Sequence, residues 1–227
     1  MPSEHRRSPP VTSMHSYQQE FLRFVIDAGV LRFGSFTLKS GRVSPYFFNA
    51  GGFNTGASLG KLAHFYAQAI VSGGLEADVL FGPAYKGIPL AAATAIALAR
   101  EHGRETPFAF NRKEAKDHGE GGTIVGSPLV GDILLIDDVI TAGTSVRESA
   151  ALTESAGARL SGVIIALDRQ ERGDGTTSAV QEVGKRYGIP VQSIVTLDDL
   201  VGYLEETESD PDTLDALARY RADFRCV

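Results

Sequence analysis

Cysteine is nearly absent from this 227-residue chain. Cys226 stands alone, so no internal disulfide can form and the fold must hold by packing. A lone thiol fits a reducing compartment, and a cytoplasmic location is the expectation. Long apolar runs are missing too: the longest, near 91–99, is well short of the about 20 residues that cross a bilayer. Positive charge is in deficit, with 22 Lys and Arg against 28 Asp and Glu. The net charge of −6 argues against a surface built for bulk nucleic acid, although one basic loop could still grip an anionic ligand. Residues 1–13 contain no apolar core of a secretory signal; they are polar and proline-bearing, and disorder is expected there. Met14 stands just ahead of a helix cap and is the expected initiator, with 1–13 an extension.

What is present is a soluble α/β pattern. Hydrophobic residues make up 43%, an ordinary share for a globular domain large enough to bury its own core. No internal repeat and no linker interrupts residues 14–227, which read as one domain. Ser16-Tyr17-Gln18-Gln19 fits a capping box, with Ser16 as N-cap and Gln19 at the third helical position. Phe21, Phe24, Val25 and Ala28 then recur at helical spacing, and Gly29 is a natural stop. Residues 36–48 read as two extended segments around a Ser-Gly turn, within a small subdomain of about 30–50. A helix follows over 55–73. From there strands at 78–81, 108–110, 133–136, 162–167 and 191–195 alternate with helices at 87–101, 145–156, 178–187, 197–206 and 211–224. Such alternation predicts a mostly parallel sheet with helices on both faces.

The densest chemistry follows the strand at 133–136. Four apolar residues run into Asp137 and Asp138, then Val139, Ile140, Thr141, Ala142, Gly143, Thr144 and Ser145 form a small-residue loop that opens a helix. An all-apolar strand is one covered on both faces, and its C-terminal end is where open α/β sheets bind ligands. The loop offers backbone N–H groups and three hydroxyls at a helix N-terminus, which favours an anion. No Gly-Lys-Ser/Thr follows, so this is not a nucleotide-triphosphate P-loop. Carboxylates beside a phosphate cradle suit a ligand with hydroxyls and metal at one end and phosphate at the other.

Three further segments stand out. Residues 111–122 carry Arg112, Lys113, Lys116 and His118 among acidic residues and glycines, with no apolar face, and read as a mobile surface loop able to bring positive charge to a diphosphate. Gly82-Pro83-Ala84-Tyr85-Lys86-Gly87 is a turn into a second helix N-terminus at the same sheet edge. Arg169, just past the strand at 162–167, could pair its planar fork with a carboxylate or carbonyl, or simply form a surface salt bridge. In the early hairpin, Phe47 and Phe48 are adjacent, so at most one ring is expected to stack on a planar base.

Taken together, Thr37-Leu38-Lys39-Ser40-Gly41, Ser44 through Asn49, Phe81 through Gly87, 111–122, 137–145 and Leu167 through Glu171 resemble the orotate branch of the type I phosphoribosyltransferases. The resemblance runs in order from about residue 14 to the C-terminus. It implies transfer of the 5-phosphoribosyl group from 5-phosphoribosyl 1-diphosphate (PRPP) to orotate, with Mg²⁺ carried mainly by the diphosphate and ribose hydroxyls. It implies that Asp137 and Asp138 hold the ribose hydroxyls and that 141–145 hold the 5-phosphate. Tyr85 and Lys86 would stand at the diphosphate end, with Arg112, Lys113, Lys116 and His118 on PRPP. Lys39, Phe47, Phe48, Thr141 and Arg169 would line the orotate site. Lys116, Lys113, His118 and Asp138 would be catalytic. The resemblance also implies a homodimer whose 111–122 loop reaches the neighbouring site. A purine-base transferase is the nearest alternative. A PRPP-sensing regulator is disfavoured, because no added nucleic-acid-binding domain or basic surface is present.

Overall fold

The computed structural model describes residues 14–38, 41–116, 122–141, 143–173 and 175–226, with only the backbone of Ala115 and Lys116. Six strands form the main sheet: β3 (Val79–Gly82), β4 (Phe108–Lys116), β5 (Gly122–Gly126), β6 (Asp132–Ile136), β7 (Arg159–Asp168) and β8 (Val191–Thr196). Their order is β5-β4-β3-β6-β7-β8, and every pairing is parallel except β4 with β5. The chain thus moves outward from β3 to β4 and β5, then returns to β6 on the other side. That reversal places the topological switch point between β3 and β6, the crevice where open α/β sheets take ligands.

Each central strand feeds two cores, because alternate residues face opposite sides. Ile133 and Leu135 join Val79, Phe81, Val163 and Ile165 on one face, covered by α4 (Thr144–Ser155) and α5 (Ala179–Tyr187). Leu134 and Ile136 join Leu80 and Ile164 on the other, beneath α1 (Ser16–Asp27), α2 (Gly56–Ser72), α3 (Gly87–His102), α6 (Leu197–Glu206) and α7 (Pro211–Phe224). Ile133 to Ile136 are all at most 1% exposed. Full burial of each such side chain contributes about 1.5–3 kcal/mol, and a register slip of one residue would exchange the two faces. Among the described residues, no helix is long and apolar enough to cross a membrane.

The small subdomain is a separate antiparallel pair, β1 (Leu31–Thr37) and β2 (Val43–Phe48). Helices α6 and α7 span the predicted residues, and α2 is capped by Thr55 and Gly73 as the spacing suggests. Two expectations need correction. The N-cap of α1 is His15, not Ser16, and Gln18, not Gln19, reaches back to it at 3.0 Å. The shift has a tertiary cause: the Gln18 amide also donates to the Ile194 carbonyl of β8 at 2.8 Å, which sets the helix register. The second correction concerns 111–122. Residues Asn111 to Lys116 extend β4 antiparallel to β5, the strand at the sheet's edge, which the sequence pattern missed. Backbone pairing needs no apolar face, so the charge-rich sequence hid it. The expectations for 1–13, Lys39, His118 and Ala142 fall outside the described residues.

The β3–α3 turn depends on close backbone approach. A Cβ on Gly82 would lie 2.0 Å from the Gly87 carbonyl oxygen, and one on Gly87 would lie 2.5 Å from Pro83 Cδ. Gly82→Ala is therefore expected to destabilise the protein by about 1–3 kcal/mol in urea unfolding. Gly60→Ala, on an exposed face of α2 with nothing within 4 Å, should instead be neutral or stabilise by up to about 1 kcal/mol. Equal effects at the two positions would refute the close-approach account.

Candidate active site

The strand β6 ends at Ile136, and Asp137 and Asp138 emerge at the edge of the apolar layer, 7% and 6% exposed. Asp137 turns back toward the loop that follows it. Its Oδ1 accepts from the Asp138 amide at 2.9 Å and its Oδ2 from the Ser145 hydroxyl at 2.8 Å. The Tyr66 hydroxyl, buried on α2, donates to the Asp137 carbonyl at 2.8 Å. Burial raises the Asp137 carboxyl from the usual 3.8 to about 6; the nearby charge of Asp138 adds to the rise, and the Ser145 hydrogen bond, the Asp138 amide and Lys86 oppose it. Asp138 is held differently. Its Oδ1 accepts from the Val139 amide at 2.9 Å, and its Oδ2 pairs with Lys86 Nζ at 2.6 Å.

Val139 and Ile140 split across the two cores, Val139 against the α1–α2 side and Ile140 against the α4–α5 side. This pins the loop on both faces of the sheet. Thr141 stays exposed. Gly143 then takes φ +63° as the N-cap of α4, a left-handed conformation that glycine reaches without Cβ strain. The first-turn amides of α4, from Thr144 onward, lack intrahelical acceptors and lie beside the two carboxylates in sequence. Arg147, one turn into the helix, donates to the Thr144 hydroxyl at 2.9 Å. The combination offers hydroxyl acceptors at Asp137 and Asp138 and anion donors at the helix start.

The β3–α3 turn meets the same edge from the neighbouring strand. Lys86, half of the Asp138 ion pair, keeps its side chain 63% exposed and thus open to exchange partners. Asn111 of β4 braces this turn, its Oδ1 accepting from the Ala84 amide at 2.8 Å. Lys113 lies over the Tyr85 ring at 5.0 Å. A cleft of about 340 Å³ is lined by Tyr85, Ile88, Phe110, Asn111, Arg112, Lys113 and Glu114. A larger cleft, about 530 Å³, separates α2 from α3 but contains none of the residues at the sheet edge. The smaller cleft gathers cationic, aromatic and amide groups beside the β3–α3 turn, and neither cleft is lined by Asp137, Asp138 or Lys86.

Across the site, Arg169 is not the surface salt bridge of the simpler expectation. Its side chain is 15% exposed, its Nε donates to Glu171 at 2.8 Å, and its guanidinium lies 4.5 Å over the Tyr46 ring. Phe47 and Phe48 take opposite faces of β2. Phe48 packs against the main core, whereas Phe47 stacks on Phe36 at 5.5 Å with Arg32 beside both rings. Tyr66 carried no sequence signal, and Asn111, Ser44, Tyr46 and Glu171 lay within the segments that carry the resemblance but were given no role of their own, because their partners lie far away along the chain. Asp137 and Asp138 are the carboxylates available to a divalent cation. Among the described residues, no group of three or more His, Cys, Asp or Glu side chains gathers into a complete protein shell. Two buried oxygen donors fit a hard cation that brings its other ligands with a substrate.

Comparison with known proteins places this geometry. The phosphoribosyl transferase domain model matches residues 53–200. Orotate phosphoribosyltransferase of Pseudomonas aeruginosa is 59% identical over 211 residues, covering 93% of this chain and 99% of that one. The Chromohalobacter salexigens protein of the same name is 62% identical over 215 residues, 92% of each chain. A crystal structure of orotate phosphoribosyltransferase from Francisella tularensis superposes with a TM-score of 0.84 at 43% identity, covering 91% of this chain and 99% of that one. With its two carboxylates and helix-capping loop at the β3–β6 switch point, the chain belongs to the orotate phosphoribosyltransferase family.

Proposed function

We infer that this protein transfers the 5-phosphoribosyl group of PRPP to orotate, yielding orotidine 5-monophosphate and diphosphate on the route to UMP. The observation that carries this reading is the Asp137–Asp138 pair joined to the loop ending at Ser145, in a chain 59% identical to a named orotate phosphoribosyltransferase. Ionised carboxylates accept hydrogen bonds only, which suits the two ribose hydroxyls. The amides and hydroxyls of Thr141, Ala142, Gly143, Thr144 and Ser145 would hold the 5-phosphate. Arg112, Lys113, Lys116 and His118 would meet the diphosphate, with Tyr85 and Lys86 at its other side. Lys39, Phe47, Phe48, Thr141 and Arg169 would enclose orotate. The Lys86–Asp138 pair supports this arrangement, since an exposed lysine can leave one anion for another.

In the reaction the bond from ribose C1 to the diphosphate oxygen breaks as a bond from C1 to a ring nitrogen of orotate forms. Positive charge develops on the sugar and negative charge on the leaving group. Lys116 and its neighbours act on the latter, where a well-placed donor contributes about 10²–10³ in rate. Asp138, with Asp137, holds the ribose as the sugar becomes cationic. Mg²⁺ would be carried mainly by PRPP, with Asp137 and Asp138 the carboxylates that could hold it, and it would supply further neutralisation of the diphosphate. The proton on that ring nitrogen leaves as the new bond forms, and the departing diphosphate can take it up, so no strong protein base is required. Closure of the charged segment would exclude water, which otherwise competes as nucleophile. We place the enzyme in the cytoplasm as a homodimer, with 111–122 serving the neighbouring subunit.

Loss of orotate ultraviolet absorbance that requires both PRPP and Mg²⁺ is the direct test. Turnover of hypoxanthine or adenine without orotate would move the chain to the purine branch. Lys116→Ala should lower kcat by about 10²–10³-fold. Mixing Lys116→Ala subunits with Asp138→Ala subunits should restore activity that neither has alone, because one site of the hybrid keeps both groups. Verified exchange without recovery would rule out a loop acting across the interface. The buried Asp137 also predicts a pH signature. Its folded pKa of about 6 exceeds the unfolded 3.8, so its stabilising contribution is complete below 3.8 and lost as pH rises through about 6. Asp137→Asn should therefore gain stability relative to wild type as pH rises through this window, as read by urea unfolding at each pH. A pH-independent difference would contradict the raised pKa.

A further inference from the structure

A seam of polar contacts joins the β1–β2 hairpin to the segment after β7, and the proposed sugar and phosphate chemistry does not use it. At its centre is Glu171. Its Oε1 accepts from Arg169 Nε at 2.8 Å and lies 2.7 Å from Arg169 Nη2. The same oxygen accepts from the Tyr46 hydroxyl at 3.2 Å, while Arg169 Nη2 also donates to Ser44 Oγ at 3.2 Å. Ser44 and Tyr46 belong to β2 and are fully buried. The Arg169 and Glu171 side chains are only 15% and 12% exposed, so water competes weakly for these bonds. Arg42 approaches the other carboxylate oxygen of Glu171 at 3.9 Å.

The backbone between the pair is fixed as firmly. Gln170 takes φ 52°, in the left-handed region that a residue with a Cβ rarely adopts. Its amide donates to Asp168 Oδ1 at 2.8 Å, and its carbonyl accepts from the Cys226 amide at 3.0 Å. Its side chain accepts from the Asp198 amide at 2.9 Å. A strained conformation held from three directions marks a segment whose geometry is over-determined.

We propose that Glu171 is the positioning residue for orotate: by holding Nε and Nη2 of Arg169 against Ser44 and Tyr46 of β2, it fixes the plane in which the guanidinium is presented to the base. The proposal rests on the reading that Arg169 contacts orotate. An arginine without this clamp would sample several rotamers and lose that freedom on each binding event. The clamp removes that loss in advance, and it ties the position of the fork to the hairpin that closes over the base. Glu171 acts on orotate through Arg169, while its contacts with Tyr46 and Arg42 hold the hairpin in place.

Kinetics of four variants decide the matter, with urea unfolding confirming that each is folded. Glu171→Ala should raise KM for orotate about tenfold, while KM for PRPP stays within about twofold. Glu171→Gln, which keeps an acceptor oxygen and the volume, should recover part of that loss and serves alone if the alanine variant does not fold. In an Arg169→Ala background, Glu171→Ala should change KM for orotate by less than about twofold, since nothing remains to position. An unchanged orotate KM in Glu171→Ala and Glu171→Gln overturns the proposal, as does an equal effect in both backgrounds. A lower orotate KM also overturns it, because Glu171 would then compete with the substrate for the guanidinium. If Arg169→Ala itself leaves orotate KM unchanged, the contact between Arg169 and the base is what fails, and the positioning role falls with it.

Discussion

Parallel pairing of β3 with β6 brings the Gly82–Lys86 turn beside Asp137 and Asp138, and the rest of the site is arranged around that adjacency. The register Phe81 against Leu135 is held because both strands are buried on both faces. Slippage would drive apolar side chains out of two cores at once. At the end of the strands the apolar layer stops and the carboxylates begin, with Lys86 reaching across from the turn to Asp138. Gly82 and Gly87 permit the close turn that makes this reach short.

Burying two neighbouring carboxylates works against stability, and burial is what raises Asp137 to about 6. The Ser145 hydroxyl, the Asp138 and Val139 amides and Lys86 offset part of the cost. The Ser145 bond fastens the start of α4 to the carboxylate pair, so the two form one rigid unit. Val139 and Ile140 anchor that unit by packing on opposite faces of the sheet.

The seam between the hairpin and the main domain is organised by a different principle. Its parts come from β2, the segment after β7, and the C-terminal helix α7, which are distant in sequence. Tyr220 of α7 meets Tyr46 edge-on at 6.2 Å, and Arg42 lies over Phe224 at 4.9 Å. Asp198 of α6 pairs with Arg221 and Arg225, holding α7 in place. The hairpin is therefore tied to the main domain through aromatic and charged side chains rather than through the sheet.

Local chemistry was legible in the order of residues. The bounds of α6 and α7 follow from caps within four residues, Thr196 with Asp199 and Asp210 with Pro211, combined with apolar periodicity. The double aspartate and its loop were legible for the same reason, since strand end, carboxylates and helix start are contiguous. The cap of α1 was misplaced by one residue because Gln18 answers to Ile194 of β8. The extension of β4 and the existence of β5 went unseen because edge pairing is a backbone interaction that charge-rich sequence does not advertise. Likewise Tyr66 on Asp137, Lys86 on Asp138 and Glu171 with Tyr46 each join residues more than 50 positions apart. The α/β alternation and the double-aspartate loop were written in the chain order, since their hydrogen bonds and periodicities are local. Which side chains orient that loop and the Arg169 guanidinium depends on packing, because those contacts exist only once the strands and hairpin have come together.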